Sequence, residues 1–282
     1  MLKLTHNPPL PRPRIVVYGP PGVGKTTFAA AAPKPIILPF EDGLGLNRAP
    51  VLTTAGRRVI ATVDDLEDAL AGLIVQEHDF QTVVVDSLTS MQALVAAHVA
   101  GTENKKAIDD IAYGRGWGSF IAIWQRVLSS LDKLREQRGM AVIAIAHATT
   151  STFEDPETSP YERTEMRLQH AKNVSVRSTT REWADGVYYA DIKKHVATIG
   201  KGSEERTRAI DGKGVRVLKT KPAAARDGKD RYGLPAELPL EWAAFEKAYA
   251  ASVAAYGITT EAETVEETPT EPTTTPETTS PF

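Results

Sequence analysis

The residues best suited to chemistry lie near the start of the chain, in the glycine-rich segment Gly19–Thr26, which reads GPPGVGKT. This is the pattern G-x-x-x-x-G-K-[ST], in which glycines allow backbone N–H groups to surround the phosphates of a nucleotide. Lys25 is expected to reach the β- and γ-phosphates, and the Thr26 hydroxyl is expected to bind Mg²⁺. The sequence therefore predicts a site for ATP and Mg²⁺. Its predicted nucleotide-binding residues are Gly19, Pro20, Pro21, Gly22, Val23, Gly24, Lys25, Thr26 and Thr27.

A second candidate for the metal site is Asp86, which follows the unbroken β-branched run Thr82–Val85. A run without polar alternation is typical of a parallel strand that is buried on both faces. A carboxylate at the end of such a strand would hold Mg²⁺ mainly through water, beside the phosphate-binding segment. We therefore expect Thr26 and Asp86 to share one metal ion.

The elements that must position these residues alternate between strands and helices. The predicted strands span 14–18, 36–40, 82–86, 141–146, 186–192 and 215–219, and the predicted helices span 25–32, 63–75, 87–100, 120–138 and 240–256. Pro39 weakens the second strand, because proline cannot donate a hydrogen bond to a central ladder. Alternation of this kind predicts an α/β fold with a mostly parallel central sheet flanked by helices.

Composition and charge narrow the class of protein. The 282 residues include no cysteine, which excludes disulfides, thiolate catalysis and cysteine metal sites. No run of 18 apolar residues occurs, so we expect no membrane span and a cytoplasmic location. The net charge is −3, yet residues 257–282 contain six glutamates and no Lys or Arg. This acidic tail, rich in Thr, Glu and Pro, is predicted to be disordered.

The chain divides into three parts by composition. Residues 1–13 are rich in proline and are expected to form an extended arm. Residues 14–256 are expected to form one ATPase domain, and residues 257–282 form the tail. Within the domain, residues 148–182 are polar with little periodicity, so we predict a long mobile loop there.

Asp86 is followed by Ser87, a pair that resembles the second nucleotide motif of RecA-type ATPases. Those proteins carry a catalytic glutamate at the end of the strand after the P-loop helix, where this chain has Glu41, with Asp42 as an adjacent alternative. They also carry a polar residue that senses the γ-phosphate at the tip of the strand after the second motif, where this chain has His147. The resemblance implies a RecA-like P-loop NTPase core in which Glu41 activates water and His147 senses the γ-phosphate.

The order of motifs over about residues 12–250 resembles the Sak-four family of phage RecA-like ATPases, which act in single-strand annealing and recombination. Besides the P-loop, these motifs are Glu41–Leu44, Val85–Thr89, Tyr113–Gly118, Ile145–His147, Glu182–Asp185 and Lys229–Pro235. The family implies a phage ATPase in the bacterial cytosol that binds single-stranded DNA. It also implies DNA annealing or homologous recombination by a homo-oligomer, as a ring or filament.

Two further resemblances suggest how such an oligomer would work. Lys229 and Arg231 are similar to the Lys-x-Arg pair that DnaB-type helicases insert into a neighbour's active site, where cations stabilise the transferring phosphoryl group. RecA-like proteins also keep DNA-binding loops after the strand that here ends at His147, and Tyr161 in that region could stack on a base. Residues 148–232 hold 17 Lys or Arg against 13 Asp or Glu, a modest basic excess. The candidate DNA contacts are Arg163, Arg167, Lys172, Arg177 and Arg181.

Alternatives remain open at this stage. The acidic tail ends in Pro281 and Phe282, similar to the tails by which bacterial single-strand binding proteins dock on partners. It would recruit a single-strand binding protein or a host recombination or replication factor, cover the DNA site, or only increase solubility. The rival functions are a DnaB-like helicase or helicase loader, a nucleotide-gated DNA-binding module with little turnover, and a small-molecule kinase.

Overall fold

The computed structural model describes residues 10–43, 49–53, 56, 59–155, 157–170, 174–199 and 206–257, with the backbone alone for 194–199 and 206–213. Most of the expected N-terminal arm (residues 1–9) and of the acidic tail (residues 258–282) lies outside this part of the chain, as does Lys172. No helix in the described residues is long and apolar enough to cross a membrane.

The described residues form one sheet with the strand order β2-β3-β4-β1-β6-β7-β9, in which β5 also pairs with β4 and β8 with β6. The five strands from β2 to β6 in this order are parallel, and β5, β7, β8 and β9 pair in the antiparallel sense. The predicted α/β fold with a mostly parallel sheet is therefore confirmed. The strands are β1 (Arg14–Gly19), β2 (Pro35–Pro39), β3 (Thr82–Asp86), β4 (Ala141–Phe153), β5 (Tyr161–Met166), β6 (Gly186–Ile199), β7 (Arg206–Lys219), β8 (Lys229–Asp230) and β9 (Glu237–Pro239).

Helices cover both faces of this sheet. They are α1 (Lys25–Ala30), α2 (Val63–Val75), α3 (Leu88–Thr102), α4 (Arg115–Arg138), α5 (Val176–Trp183) and α6 (Trp242–Ala255). Val83 and Val85 of β3 belong to the core under α2, α3 and α4, whereas Val84 belongs to the core under α1 and α6. Because successive strand residues point to opposite faces, a strand covered on both sides needs an unbroken apolar run.

Pro39 is accommodated because β2 lies at the edge of the sheet. Edge strands tolerate proline, since one side of the strand makes no regular ladder. Among the described residues, the outer side of β2 carries a bridge between Ile37 and Val51 and a hydrogen bond from the Ile60 N–H to the Pro39 carbonyl (2.8 Å). The edge position therefore explains why the second strand survives its proline.

The polar region after His147 differs from the long loop that its composition predicts. β4 continues through Thr149–Phe153 and pairs with β5 as an antiparallel hairpin, and α5 begins after a serine cap at Ser175. Threonine is β-branched and favours strands although it is polar, and this part of β4 is only partly buried. A half-buried polar strand contains no apolar run, so the composition of this region predicts a loop although the residues form strands.

Candidate functional site

The P-loop connects β1 to α1 at the carboxyl edge of the parallel strands. β1 is buried, and Gly19 at its end lies so close to β6 that a Cβ there would clash with the carbonyl oxygen of Ala190. Gly22 and Gly24 adopt positive φ angles of 73° and 106°, which glycine tolerates best. The sequence thus provides glycine where the loop turns and where it touches the neighbouring strand.

The Lys25 ammonium is folded back onto the loop that it belongs to. Its Nζ donates hydrogen bonds to the carbonyl oxygens of Gly19 and Pro20, both at 2.9 Å. Burial lowers the pKa of Lys25, and the carboxylates of Asp86 and Glu41 oppose that shift. The lysine is therefore placed at the centre of the loop, beside the acidic groups of the site.

Thr26 and Asp86 are in direct contact, as a shared metal site requires. The Thr26 hydroxyl donates to Oδ2 of Asp86 at 2.7 Å, although the two residues are 60 positions apart. Burial raises the pKa of Asp86, whereas the hydrogen bond from Thr26 acts to lower it. Mg²⁺ prefers oxygen ligands and binds nucleotide sites through one or two side chains plus phosphates and water. The hydroxyl and the carboxylate fit that requirement.

Glu41 and His147 meet on the same side of the P-loop as Asp86. Oε1 of Glu41 lies 3.4 Å from Nε2 of His147, and Oε2 of Glu41 accepts a hydrogen bond from the Ser90 hydroxyl at 3.2 Å. The backbone N–H of His147 donates to the Thr89 hydroxyl at 3.0 Å, which ties the end of the parallel part of β4 to the first turn of α3. Asp42 is exposed and does not line the cleft among the described residues.

These side chains line one cleft of about 770 Å³, which is large enough for a nucleotide. The cleft is lined by P-loop residues together with Glu41, Asp86 and His147, so the structure brings the predicted residues of three separate strands together. It also contains Arg216 of β7, which sequence reasoning missed. The available signal was a cation alternating with apolar residues in Val215–Leu218, but nothing in that pattern relates it to the P-loop.

Lys229 and Arg231 lie far from their own cleft. β8 pairs with Gly186 and Val187, and Gly186 is level with Ile15 at the start of β1, so this pair lies at the amino edge of the sheet. Lys229 Nζ donates to the carbonyl oxygens of Arg181 and Glu182 at the end of α5. Nη1 of Arg231 pairs with Asp185 at 3.1 Å. Neither cation can reach the P-loop of its own chain, so the predicted role requires a neighbouring subunit.

Most of the arginines predicted to contact DNA have intramolecular partners. Arg177 pairs with Glu165, and both Arg163 (3.3 Å) and Arg181 (3.6 Å) approach Asp227. Arg167 is exposed and makes no ion pair with any described residue. A DNA contact by the paired arginines would have to compete with these carboxylates, so their predicted role stays a prediction.

Comparison with known proteins gives the family. Residues 12–232 match the model of the AAA domain family, and this match covers most of the 282 residues. A search of curated proteins found no match. The chain is also similar to a solved structure described as the crystal structure of the RadB recombinase, with a TM-score of 0.43 and 18% identity over 83% of this chain and 90% of that one. That likeness is too distant to carry an argument about function. From this match over most of its length, the chain belongs to the AAA domain family, and its described residues place a P-loop on a mostly parallel sheet.

Proposed function

We propose that this protein is a Mg²⁺-dependent ATPase that works on single-stranded DNA. The observation that carries the ATPase part is the single cleft in which Lys25, Thr26, Asp86, Glu41 and His147 converge from four elements. A P-loop alone would only bind phosphate. Hydrolysis also needs a carboxylate to activate water, and a response to hydrolysis needs a group that senses the γ-phosphate. Glu41 and His147, on the Asp86 side of the loop, are proposed for these two roles.

The roles follow from position. Lys25 balances the charge of the β- and γ-phosphates, and Thr26 with Asp86 holds the metal, which supplies Lewis-acid chemistry when bound. Glu41 orients a water and accepts its proton, because its carboxylate is partly exposed and fixed by Ser90 and His147. His147 belongs to β4 and its imidazole contacts Glu41, so it is placed to report the presence of a γ-phosphate to that strand.

The DNA part rests on the segment between α3 and α4. Tyr113 there is 99% exposed, with its backbone at a φ of 59°. Lys105, Lys106 and Arg115 of the same stretch of sequence are exposed and make no ion pair with any described residue. Nearby acidic residues keep the charge balanced, so stacking of a base on Tyr113 is the main expected interaction. This surface fits single-stranded DNA better than the paired arginines after His147 do.

The finer assignment is the Sak-four type of function, annealing or recombination by a homo-oligomeric ring or filament. Lys229 and Arg231 support it, because they lie at the opposite edge of the sheet from the P-loop and would complete the cleft of a neighbouring subunit. Their present partners would be exchanged for phosphate oxygens on assembly. The acidic tail is proposed to recruit a single-strand binding protein or another DNA-processing factor.

A helicase or helicase loader is the second candidate, because a trans-acting Lys-x-Arg pair suits a motor as well as an annealing scaffold. ATP-dependent unwinding of duplex DNA would favour the motor. Annealing that survives Lys25→Ala would instead favour a nucleotide-gated module with little turnover.

The test compares ATP hydrolysis and single-stranded DNA binding across matched tyrosine variants. Tyr113→Ala is expected to weaken binding of an oligonucleotide by about fivefold or more, since a base–aromatic stack is worth about 1–3 kcal/mol. Tyr113→Phe keeps the ring and should bind like the wild type. Tyr256→Ala is the control, because Tyr256 is also an exposed aromatic (71%) but lies at the end of α6. Equal DNA binding by all four proteins, or ATP hydrolysis unaffected by DNA in the wild type, would refute the DNA part.

A further inference from the structure

Arg216 lies on the wall of the cleft opposite to the predicted metal site. In the sheet, β1 has β4 and β3 on one side and β6 and β7 on the other. Asp86 is on β3 and Arg216 is on β7, so the P-loop lies between them. Under the proposed function Thr26 and Asp86 hold the metal and the terminal phosphates, which leaves the side of Arg216 for the α-phosphate and the nucleoside.

The guanidinium of Arg216 lies directly against the P-loop backbone. A Cβ built on Gly24 would lie 2.9 Å from Nη1 and 3.6 Å from Cζ of Arg216. Gly24 also has a φ of 106°, which a residue with a side chain would adopt only with strain. Glycine at position 24 therefore permits the turn of the loop, and the end of the Arg216 side chain occupies the space beside it.

Arg216 differs from the neighbouring cations of this sheet because they are paired. Lys193 pairs with Glu237 at 3.0 Å, and Lys219 pairs with Asp191 at 2.8 Å. The Arg216 side chain is exposed and has no carboxylate partner among the described residues. Its backbone is fixed, because its carbonyl oxygen accepts a hydrogen bond from the Leu240 N–H at 3.1 Å. A cation held on a rigid strand at an anion-binding loop, without a carboxylate, is suited to bind an anionic ligand.

We infer that Arg216 binds the nucleotide within its own chain, at the α-phosphate and nucleoside end. A guanidinium donates two parallel hydrogen bonds to phosphate oxygens and can stack on a planar base, neither of which a lysine ammonium reproduces. Its contribution is common to ATP and ADP, in contrast to Glu41 and His147, which face the γ-phosphate. This inference rests on the proposed nucleotide binding. It adds Arg216 to the nucleotide-binding residues, on a wall of the cleft that contains none of the predicted motifs.

The experiment measures equilibrium binding of ADP and of a non-hydrolysable ATP analogue, both with Mg²⁺. Arg216→Ala is expected to raise both dissociation constants by about tenfold or more, by similar factors, as for a lost hydrogen bond to a charged group. Arg216→Lys should recover only part of the loss. Lys193→Ala is the control, because it removes a cation from the same β6–β7 pair outside the cleft, and it should leave both constants unchanged.

The outcomes separate this inference from the function on which it rests. Wild-type protein that binds neither nucleotide would refute the proposed ATPase itself. Wild-type binding with unchanged affinity in Arg216→Ala would overturn only the inference about Arg216. A loss confined to the ATP analogue would also overturn it, because it would place Arg216 at the γ-phosphate. Thermal unfolding of each variant confirms that the fold is retained, as expected for an exposed side chain.

Discussion

Substitution of Glu41 by glutamine tests the proposed hydrolytic site most directly. Glutamine keeps the shape of the side chain and can still accept the hydrogen bond that Ser90 donates at 3.2 Å. It cannot accept a proton from water, so the chemical step loses its base. Loss of a positioned general base slows a reaction by about 10²–10⁴-fold. At 1.36 kcal/mol per tenfold change, this corresponds to about 3–5 kcal/mol in the activation free energy.

The assay follows phosphate release under single-turnover conditions, together with the affinity for a non-hydrolysable ATP analogue. We expect Glu41→Gln to lose hydrolysis while its affinity stays within about twofold, because the P-loop and Asp86 are untouched. Asp42→Asn is the matched control, since Asp42 is adjacent, acidic and exposed outside the cleft. Normal hydrolysis by Glu41→Gln would refute the role of Glu41. An equal loss in Asp42→Asn would show that the two acids are not distinguished as the structure suggests.

Three further predictions concern buried partners and the neighbouring subunit. Asp185 is 7% exposed and forms ion pairs with Arg231 and with two other arginines at 2.9 and 3.1 Å. Asp185→Ala should therefore lower the free energy of unfolding, measured by urea titration, by about 3–5 kcal/mol. A loss below 1 kcal/mol would contradict this. Arg231→Ala should keep wild-type stability within about 1 kcal/mol, because Arg231 is half exposed, yet should reduce ATP hydrolysis by the assembled protein about a thousandfold. Unchanged turnover would exclude the trans-acting role. Thr180→Val removes the acceptor that the buried Trp124 indole uses at 3.0 Å and should cost about 1–3 kcal/mol, whereas Thr180→Ser should cost less. Equal stabilities of the two variants would argue against that bond.

The sequence was sufficient for the parts of the site that lie at the ends of apolar strands. Glu41, Asp86 and His147 each follow a run of buried residues, and parallel strands place their carboxyl ends at one edge. Local sequence pattern and sheet geometry therefore agree, and the contact between Thr26 and Asp86 follows from them. Their location at one edge depends on a local signal combined with a single rule of topology, whereas the roles expected for Glu41 and His147 came from the resemblance to RecA-type ATPases.

The remaining features depend on pairings that no local pattern encodes. Arg216 reaches the P-loop only because β7 pairs with β6 and β6 pairs with β1. Arg163 of the hairpin pairs with Asp227, and Arg177 of α5 pairs with Glu165 of the hairpin. These acidic partners could not be chosen from the sequence. From the sequence alone, an arginine that forms an intramolecular ion pair cannot be distinguished from one that is free to bind DNA.

The arrangement of α3 would connect the proposed ATP site with the proposed DNA-binding segment. The first turn of α3 holds both sides of the hydrolytic centre, since Ser90 donates to Glu41 and Thr89 accepts from the His147 N–H. The same helix ends at Thr102, directly before the exposed segment that carries Tyr113. A helix transmits displacement along its axis because its hydrogen bonds make it stiff. A change in the contacts between Glu41 and the nucleotide would therefore change the orientation of the segment that carries Tyr113. The hairpin after His147 offers a second connection, as β4 runs without interruption from the cleft into it. Both connections start beside Glu41 and His147, which are proposed to face the γ-phosphate, whereas Arg216 lies on the other wall. Under these proposals, the cleft separates recognition of the nucleotide from the response to its hydrolysis.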